Sequence, residues 1–114
     1  MDAIARVRPR VVAFVHAETS TGVLQPVAEI TAAARRVEAF VVLDCVTSLG
    51  AVPVTLDVWG VDAAYSGTQK ALSCPPGLSP VSFSQRALER VRARRTPVPS
   101  WYFDVTLLSG YYGS

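Results

Sequence analysis

A chain of 114 residues fits a single domain of common size, so one hydrophobic core has to support whatever site it carries. Half of its residues are hydrophobic and 18% are charged, which excludes an intrinsically disordered chain. The formal net charge of +2 is too small to indicate a nucleic-acid partner. No apolar run reaches the roughly 18 residues that a membrane-spanning helix needs, so we expect no membrane partner either.

The cysteine and histidine contents argue against a metal centre or a disulfide framework. Two cysteines, Cys45 and Cys74, and a single histidine, His16, are too few for a four-ligand zinc site, and we predict no metal. Both cysteines are expected to be small buried packing residues, and His16 a structural residue at a strand end. The N-terminal segment lacks the apolar stretch of a secretory signal. These features predict a soluble protein of a reducing compartment, and we expect a cytoplasmic location in a bacterium.

Apolar runs and helical periodicity divide the chain into strands and helices. Short continuous apolar runs predict buried parallel strands, whereas an alternating run that contains Pro80 predicts an edge strand. Apolar residues at positions 3, 4, 7 and 11 predict a helix end that leads into the first strand. In chain order the predicted elements are strand 10–16, helix 25–39, strands 40–45, 62–66 and 79–84, and helix 84–95. Pro26 is placed in the first turn of the first of these helices, and Ser84 at the N-cap of the second.

The strand–helix–strand order predicts an α/β fold with a right-handed crossover and a mostly parallel sheet covered on both faces. The first three strands are expected to be parallel, and the last strand antiparallel beside them. The arginines of the last helix are spaced like a solvated helix face and lack interleaved aromatics, which argues against nucleic-acid binding. The three aromatic residues of segment 101–103 are expected to be buried. The sequence leaves open whether that segment is a flap on the same core or a truncated end.

Lys70 is the only lysine in a chain that otherwise uses ten arginines. Arginine carries the same charge but does not lose its proton at ordinary pH, so it cannot act as an amine nucleophile. A single lysine in this setting favours amine chemistry. A compositional bias toward arginine, with one lysine left by chance, is the alternative explanation at this point.

Polar side chains follow each of the first three predicted strands. A hydroxyl-rich loop that contains Thr19 follows the first strand, Asp44 lies at the tip of the second, and Lys70 follows the third. Ligands of open α/β sheets bind beyond the carboxyl ends of the strands. The sequence therefore predicts that hydroxyls, a carboxylate and an amine face one crevice.

Three segments carry a resemblance to a known family: "HAETSTGVLQP" (16–26), "LDCVTSLGAVPVTLDVWGVD" (43–62) and "YSGTQKALSCPPGLSPVSFS" (65–84). In order and spacing they resemble the class V aminotransferases of fold type I, which depend on pyridoxal 5'-phosphate, and most of all the alanine–glyoxylate and serine–glyoxylate group. Related desulfurases and lyases share the fold, but the context around Lys70 points away from them. The resemblance implies the α/β large domain that binds the cofactor.

The resemblance also implies roles for individual residues. Lys70 would be the lysine that binds the cofactor covalently, and Asp44 the carboxylate that pairs with its pyridine nitrogen. Val46 would pack beneath the ring, where an ordinary core valine is the alternative. Thr19 would place a hydroxyl near the phenolic oxygen, and Gln69 would lie near the phosphate.

The family further implies small amino-acid and oxo-acid substrates and a homodimer. Its members are several times longer, so residues 1–114 are expected to be part of a large domain that lacks the N-terminal phosphate loop and the C-terminal small domain. Two hypotheses follow. The chain is a fragment of an aminotransferase that moves an amino group from alanine or serine to glyoxylate. Alternatively, it is an inactive truncated remnant with weak cofactor binding or a dimerising role.

Overall fold

A computed structural model describes residues 2–112 of the chain. In chain order the elements are α1 (Asp2–Val7), β1 (Val11–Val15), β2 (Ala17–Glu18), β3 (Val23–Leu24), α2 (Val27–Arg36), β4 (Phe40–Asp44), α3 (Leu56–Trp59), β5 (Ala63–Tyr65), β6 (Val81–Phe83), α4 (Gln85–Arg92) and α5 (Val105–Tyr112), with a 3-10 helix at Trp101–Phe103. The described chain divides into two compact units, one that ends at Ser84 and one that begins at Gln85. None of the helices within residues 2–112 is long and apolar enough to cross a membrane.

The first unit is built on a four-stranded sheet with the order β1-β4-β5-β6. β1 pairs with β4 and β4 with β5 in parallel, whereas β6 is antiparallel to β5. This arrangement confirms the predicted α/β fold, including the antiparallel last strand. A separate two-stranded hairpin, β2 with β3, was not predicted from the sequence.

The core of the first unit lies on one face of the sheet. Val41 and Leu43 of β4 are fully buried, and their register partners on β1, Val12 and Phe14, pack against the same cluster. α2 covers this face with Val27 and other buried side chains. The residues of β4 that project to the opposite face are only half-buried within residues 2–112. Burial on both faces was predicted, and the structure shows it fully on one face.

A buried carboxylate, Asp62, ties the sheet to its surroundings. Its Oδ2 accepts a hydrogen bond of 2.9 Å from the backbone N–H of Val41, and its Oδ1 accepts one of 3.1 Å from the Ser84 hydroxyl. Nη2 of Arg35 lies 3.4 Å from Oδ1 and also donates to the carbonyl of Gly60 at 2.7 Å. A carboxylate that is 1% exposed requires such partners, so Asp62 joins α2, β4 and the end of β6.

Helix boundaries differ from prediction in small ways. The helix predicted over 25–39 spans Val27–Arg36, and Pro26 is its N-cap rather than part of its first turn. The helix predicted over 84–95 spans Gln85–Arg92, directly after Ser84. Four arginines predicted to lie on a solvated face are exposed in the second unit, whereas the fifth, Arg86, is half-buried; the exposed ones are Arg90, Arg92, Arg94 and Arg95.

The aromatic segment of the second unit is exposed rather than buried within the described chain. Trp101 is 51% exposed, Tyr102 71% and Phe103 72%. These rings contact neighbouring aromatics instead: Trp101 meets Tyr111 edge-on with centroids 6.1 Å apart, and Tyr102 meets Phe103 at 5.6 Å. Edge-to-face pairing gives each ring one favourable contact without a core around it.

Candidate active site

Three parallel strands end level with one another at one edge of the sheet. Val15 of β1 is in register with Asp44 of β4, which is in register with Tyr65 of β5. In-register residues of adjacent strands project to the same face, so these three side chains point to the half-buried face. The three loops that leave this edge carry the residues predicted from the sequence to form the site.

The Asp44 carboxylate is held through both of its oxygens. Oδ1 accepts a hydrogen bond of 2.8 Å from the backbone N–H of Val46, two residues further along the chain. Oδ2 accepts a hydrogen bond of 2.8 Å from the Tyr65 hydroxyl. This hydrogen bond, followed by burial, raises the pKa of Tyr65 above its ordinary value. The phenol therefore stays protonated and donates its hydroxyl hydrogen to Oδ2 of Asp44.

The loop after β4 contacts the loops on both sides of it. The hydroxyl oxygens of Thr19 and Thr47 are 3.2 Å apart, which joins the loop after β1 to the loop after β4. On the other side, a Cβ built on Gly50 would lie 3.4 Å from the carbonyl oxygen of Ala71. The three loops are thus contiguous, as the crevice prediction requires.

The loop that carries Lys70 is closed by hydrogen bonds at its base. The Thr68 hydroxyl donates to the carbonyl of Pro75 at 2.6 Å, and the N–H of Cys74 donates to the carbonyl of Thr68 at 3.0 Å. Within the loop, the N–H of Ser73 donates to the carbonyl of Lys70 at 2.9 Å. This double closure holds the backbone on both sides of Lys70.

The base of the loop is also fixed to the neighbouring strand end. The Ser66 hydroxyl donates to the carbonyl of Cys45 at 3.1 Å, next to Asp44. Gly67 leaves space for Gln69, because a Cβ at Gly67 would lie 2.7 Å from Oε1 of Gln69. That distance is shorter than real Cβ contacts, so a side chain at Gly67 would displace the Gln69 amide, the far end of a flexible and exposed side chain, from its present position.

The predicted site residues differ in their surroundings. Asp44 and Val46 are half-buried, whereas Thr19, Gln69 and Lys70 are exposed. Within residues 2–112 the structure records no ion pair for the Lys70 amine. The structure brings the loops of these residues together, and the cofactor role of each one stays a prediction.

Two residues near the site had no predicted role. Tyr65 bonds the site carboxylate, and Thr68 closes the lysine loop. Both lie in the motif that was singled out around Lys70. Its place near the end of a predicted strand marks Tyr65 as a residue of the same sheet edge as Asp44, but the hydrogen bond between them depends on the strand register.

His16 and the cysteines complete the surroundings. His16 is 4% exposed and meets Trp59 edge-on with ring centroids 5.3 Å apart, which is consistent with the structural role predicted for it. Burial lowers its pKa. Cys45 is buried as predicted, and burial raises the pKa of its thiol. The prediction for Cys74 was wrong, because that residue lies exposed in the lysine loop instead of in a core.

The fold and this edge together define an α/β protein with a carboxylate, hydroxyls and an amine on contiguous loops beyond its parallel strands. Among known families, a model of the class-V aminotransferases matches residues 1–97. The alanine–glyoxylate aminotransferase of Drosophila melanogaster is 42% identical over 107 residues, which are 93% of this chain and 27% of that protein.

Comparison with solved structures points to the same family. The alanine–glyoxylate aminotransferase from Nostoc sp. superimposes with a TM-score of 0.93 at 50% identity, over 99% of this chain and 30% of that one. The ureidoglycine–glyoxylate aminotransferase from Bacillus subtilis gives a TM-score of 0.93 at 40% identity, over 99% of this chain and 29% of that one. The chain belongs to the class-V aminotransferase family, with the fold of the fold-type I aminotransferases. It spans less than a third of the length of these relatives.

Proposed function

We propose that this chain supplies the lysine- and aspartate-bearing part of a pyridoxal-phosphate-dependent aminotransferase that uses glyoxylate as amino acceptor. The observation that carries the proposal is that β4 and β5 end in register. Asp44 therefore lies at the same sheet edge from which the loop that contains Lys70 begins. The relatives named above support the acceptor, because alanine–glyoxylate and ureidoglycine–glyoxylate aminotransferases share it. We propose alanine or serine as the donor.

The residues present fit the cofactor by their chemistry. Pyridoxal phosphate supplies an aldehyde that exchanges amines and a ring that takes up electrons from the substrate Cα. A lysine amine matches the aldehyde, and a carboxylate with both oxygens already oriented matches a protonated ring nitrogen. The space at Gly67 lets the Gln69 amide lie against the backbone, where it suits a phosphate.

Each residue then has a defined task. Asp44 holds the proton on the ring nitrogen, because an ionised carboxylate stabilises the cation beside it. The Lys70 amine would hold the cofactor and, when free, would carry a proton to and from the substrate Cα. Thr19 offers a hydroxyl to the phenolic oxygen, and Val46 packs against the ring. Small amino-acid and oxo-acid substrates and a homodimer belong to the same proposal.

Covalent trapping tests the proposal without measuring turnover. The chain is incubated with pyridoxal phosphate, reduced with borohydride and mapped by mass spectrometry. We expect the label on Lys70, since it is the only side-chain amine. Lys70→Arg is the matched control, because it keeps the charge and cannot form the bond. A label confined to the N-terminal amine, or equal labelling of the two proteins, would overturn the proposal.

Turnover distinguishes a working centre from an inactive remnant that binds cofactor weakly. Lys70 and Gln69 are exposed in this chain, so water has access to the reacting amine. We therefore expect trapping at Lys70 but no transamination of alanine or serine with glyoxylate above the rate of free cofactor. Turnover well above that rate, and lost in Lys70→Arg, would show that these 114 residues form a complete active centre.

A further inference from the structure

The position and contacts of Tyr65 indicate a role beyond packing. It ends β5 beside Asp44 and lies 42% exposed on the same face as that carboxylate. A partly exposed aromatic ring gains little from burial, so packing alone does not account for a tyrosine here. The polar end of the side chain has a hydrogen-bond partner, because the hydroxyl donates to Oδ2 of Asp44 at 2.8 Å.

The two hydrogen bonds to Asp44 complement each other. The N–H of Val46 belongs to the chain that follows Asp44, and it fixes Oδ1. The Tyr65 hydroxyl comes from the neighbouring strand and fixes Oδ2. With a single donor the carboxylate could still rotate about its Cβ–Cγ bond. With a donor at each oxygen its plane is fixed, and each oxygen keeps a further lone pair.

We propose that Tyr65 is a positioning residue that orients the Asp44 carboxylate toward a cationic ring nitrogen. This inference rests on the proposed function, since it needs a cofactor ring in front of Asp44. Tyr65 does not contact the reacting atoms in this role. It acts through Asp44, because a carboxylate that is already oriented before the ring binds loses less conformational freedom on binding.

The hydrogen bond can be checked without any cofactor. In protein labelled with 13C at the tyrosine Cζ, the Tyr65 signal should titrate above the ordinary tyrosine pKa of 10.0. Asp44→Asn removes the negative charge and should bring the Tyr65 pKa back toward that value. A Tyr65 pKa that does not respond to Asp44→Asn would overturn the proposal, because the two groups would then not be bonded in solution.

The role itself is tested with two cofactor probes and borohydride trapping at Lys70. The probes are pyridoxal phosphate and its analogue with carbon in place of the ring nitrogen. Tyr65→Phe keeps the ring and removes only the hydroxyl. We expect it to weaken trapping of pyridoxal phosphate roughly three- to tenfold, the net contribution of one hydrogen bond, and to leave the analogue unchanged. Tyr102→Phe is the matched control, because Tyr102 is 71% exposed and lies outside the first unit.

The outcomes separate the two proposals. If the unmodified chain gives no label at Lys70, the proposed function fails and the role of Tyr65 fails with it. If the unmodified chain is labelled at Lys70, and Tyr65→Phe traps both probes to the same extent as the unmodified chain, only the role of Tyr65 is overturned. Equal weakening for both probes also overturns it, since that pattern means a general structural effect. Circular dichroism of Tyr65→Phe identifies a variant that has lost its fold.

Discussion

At the scale of single residues, several polar groups near the candidate site are held by specific hydrogen-bond partners. Both oxygens of Asp44 have donors, and the hydroxyl of Thr68 closes the lysine loop at 2.6 Å. Two groups near the site are exceptions: within residues 2–112 the Ser48 hydroxyl and Nδ1 of His16 are buried without a hydrogen-bond partner. A buried imidazole of this kind disfavours the charged form, because protonation would place an unpaired charge away from water.

This burial predicts a pH dependence of stability. The pKa of His16 in the folded chain is lowered from 6.5, so below that pH the unfolded chain binds more protons than the folded one. The contribution of His16 is thus fully present above pH 6.5 and is lost as the pH falls through the lowered folded value. We expect the free energy of unfolding to decrease as the pH falls below 6.5, and this part of the decrease to be absent in His16→Gln.

Nuclear magnetic resonance gives the check directly. His16 is the only histidine, so its Hε1 signal needs no assignment by mutation. A titration midpoint at or above 6.5 in the folded chain would contradict the burial argument.

At the scale of elements, several turns depend on backbone conformations that only some residues adopt easily. The short helix α3 ends at Gly60, which has a φ of 73° and adopts the left-handed conformation. Its N–H donates to the carbonyl of Asp57, and its carbonyl accepts the 2.7 Å hydrogen bond from Arg35. Glycine is common at such helix ends because a Cβ makes the left-handed conformation costly.

We therefore expect Gly60→Ala to lower the free energy of unfolding by about 1–2 kcal/mol. A Cβ at Gly60 would lie 3.5 Å from Nη2 of Arg35, an ordinary contact, so the cost comes from the backbone and not from a clash. Gly110, within α5, is the matched control because a Cβ there meets nothing within 4 Å. Gly110→Ala should be neutral or stabilising by up to about 1 kcal/mol. Urea denaturation measures both, and a shared sign would refute the conformational explanation.

At the scale of the whole molecule, the first unit presents open sheet edges and apolar surface. β1 and β6 are the outer strands of the sheet, so within residues 2–112 each has one side without a strand partner. Val11 of β1 is 52% exposed and Val81 of β6 is 63% exposed. Open edges with exposed apolar side chains pair readily with other chains.

We predict that the chain self-associates at micromolar concentration and elutes larger than one copy. Val11→Lys should reduce this association, because a lysine on an edge strand opposes pairing. Val58→Lys is the control, since Val58 is 84% exposed on α3 and away from the sheet edges. Light scattering after size-exclusion chromatography gives the mass. A single-copy peak for the unmodified chain, or equal effects of the two lysines, would disprove edge pairing.

The main sheet could be predicted from the sequence because its signals are local and strong. The run around Val41 and Leu43 is continuous and apolar, which marks a buried parallel strand, and Pro80 marks the following strand as an edge. The hairpin of β2 and β3 was missed because each strand has only two residues and shows no alternation. The turn at Gly22, with a φ of 70°, was its only local signal.

The candidate site was predictable in its loops but not in its contacts. Asp44, Thr19 and Lys70 follow strands that could be recognised, so their common edge followed from the parallel topology. The hydrogen bond from Tyr65 depends on an exact strand register, which composition does not encode. The exposure of Cys74 was missed because small apolar residues were assumed to be core. Its neighbours Pro75 and Pro76 indicated a loop.

The level ending of β1, β4 and β5 has a consequence for how quickly this region can assemble. Asp44 and Tyr65 are 21 residues apart in the chain, and Thr19 and Thr47 are 28 apart. The entropy of closing a loop grows only with the logarithm of its length, about 0.6 kcal/mol for each doubling, so these two closures cost nearly the same. Both separations are large for a chain of 114 residues, and parallel strand pairing over such separations is slow. The hydrogen bonds of Asp44 therefore form only once its neighbouring strands have paired.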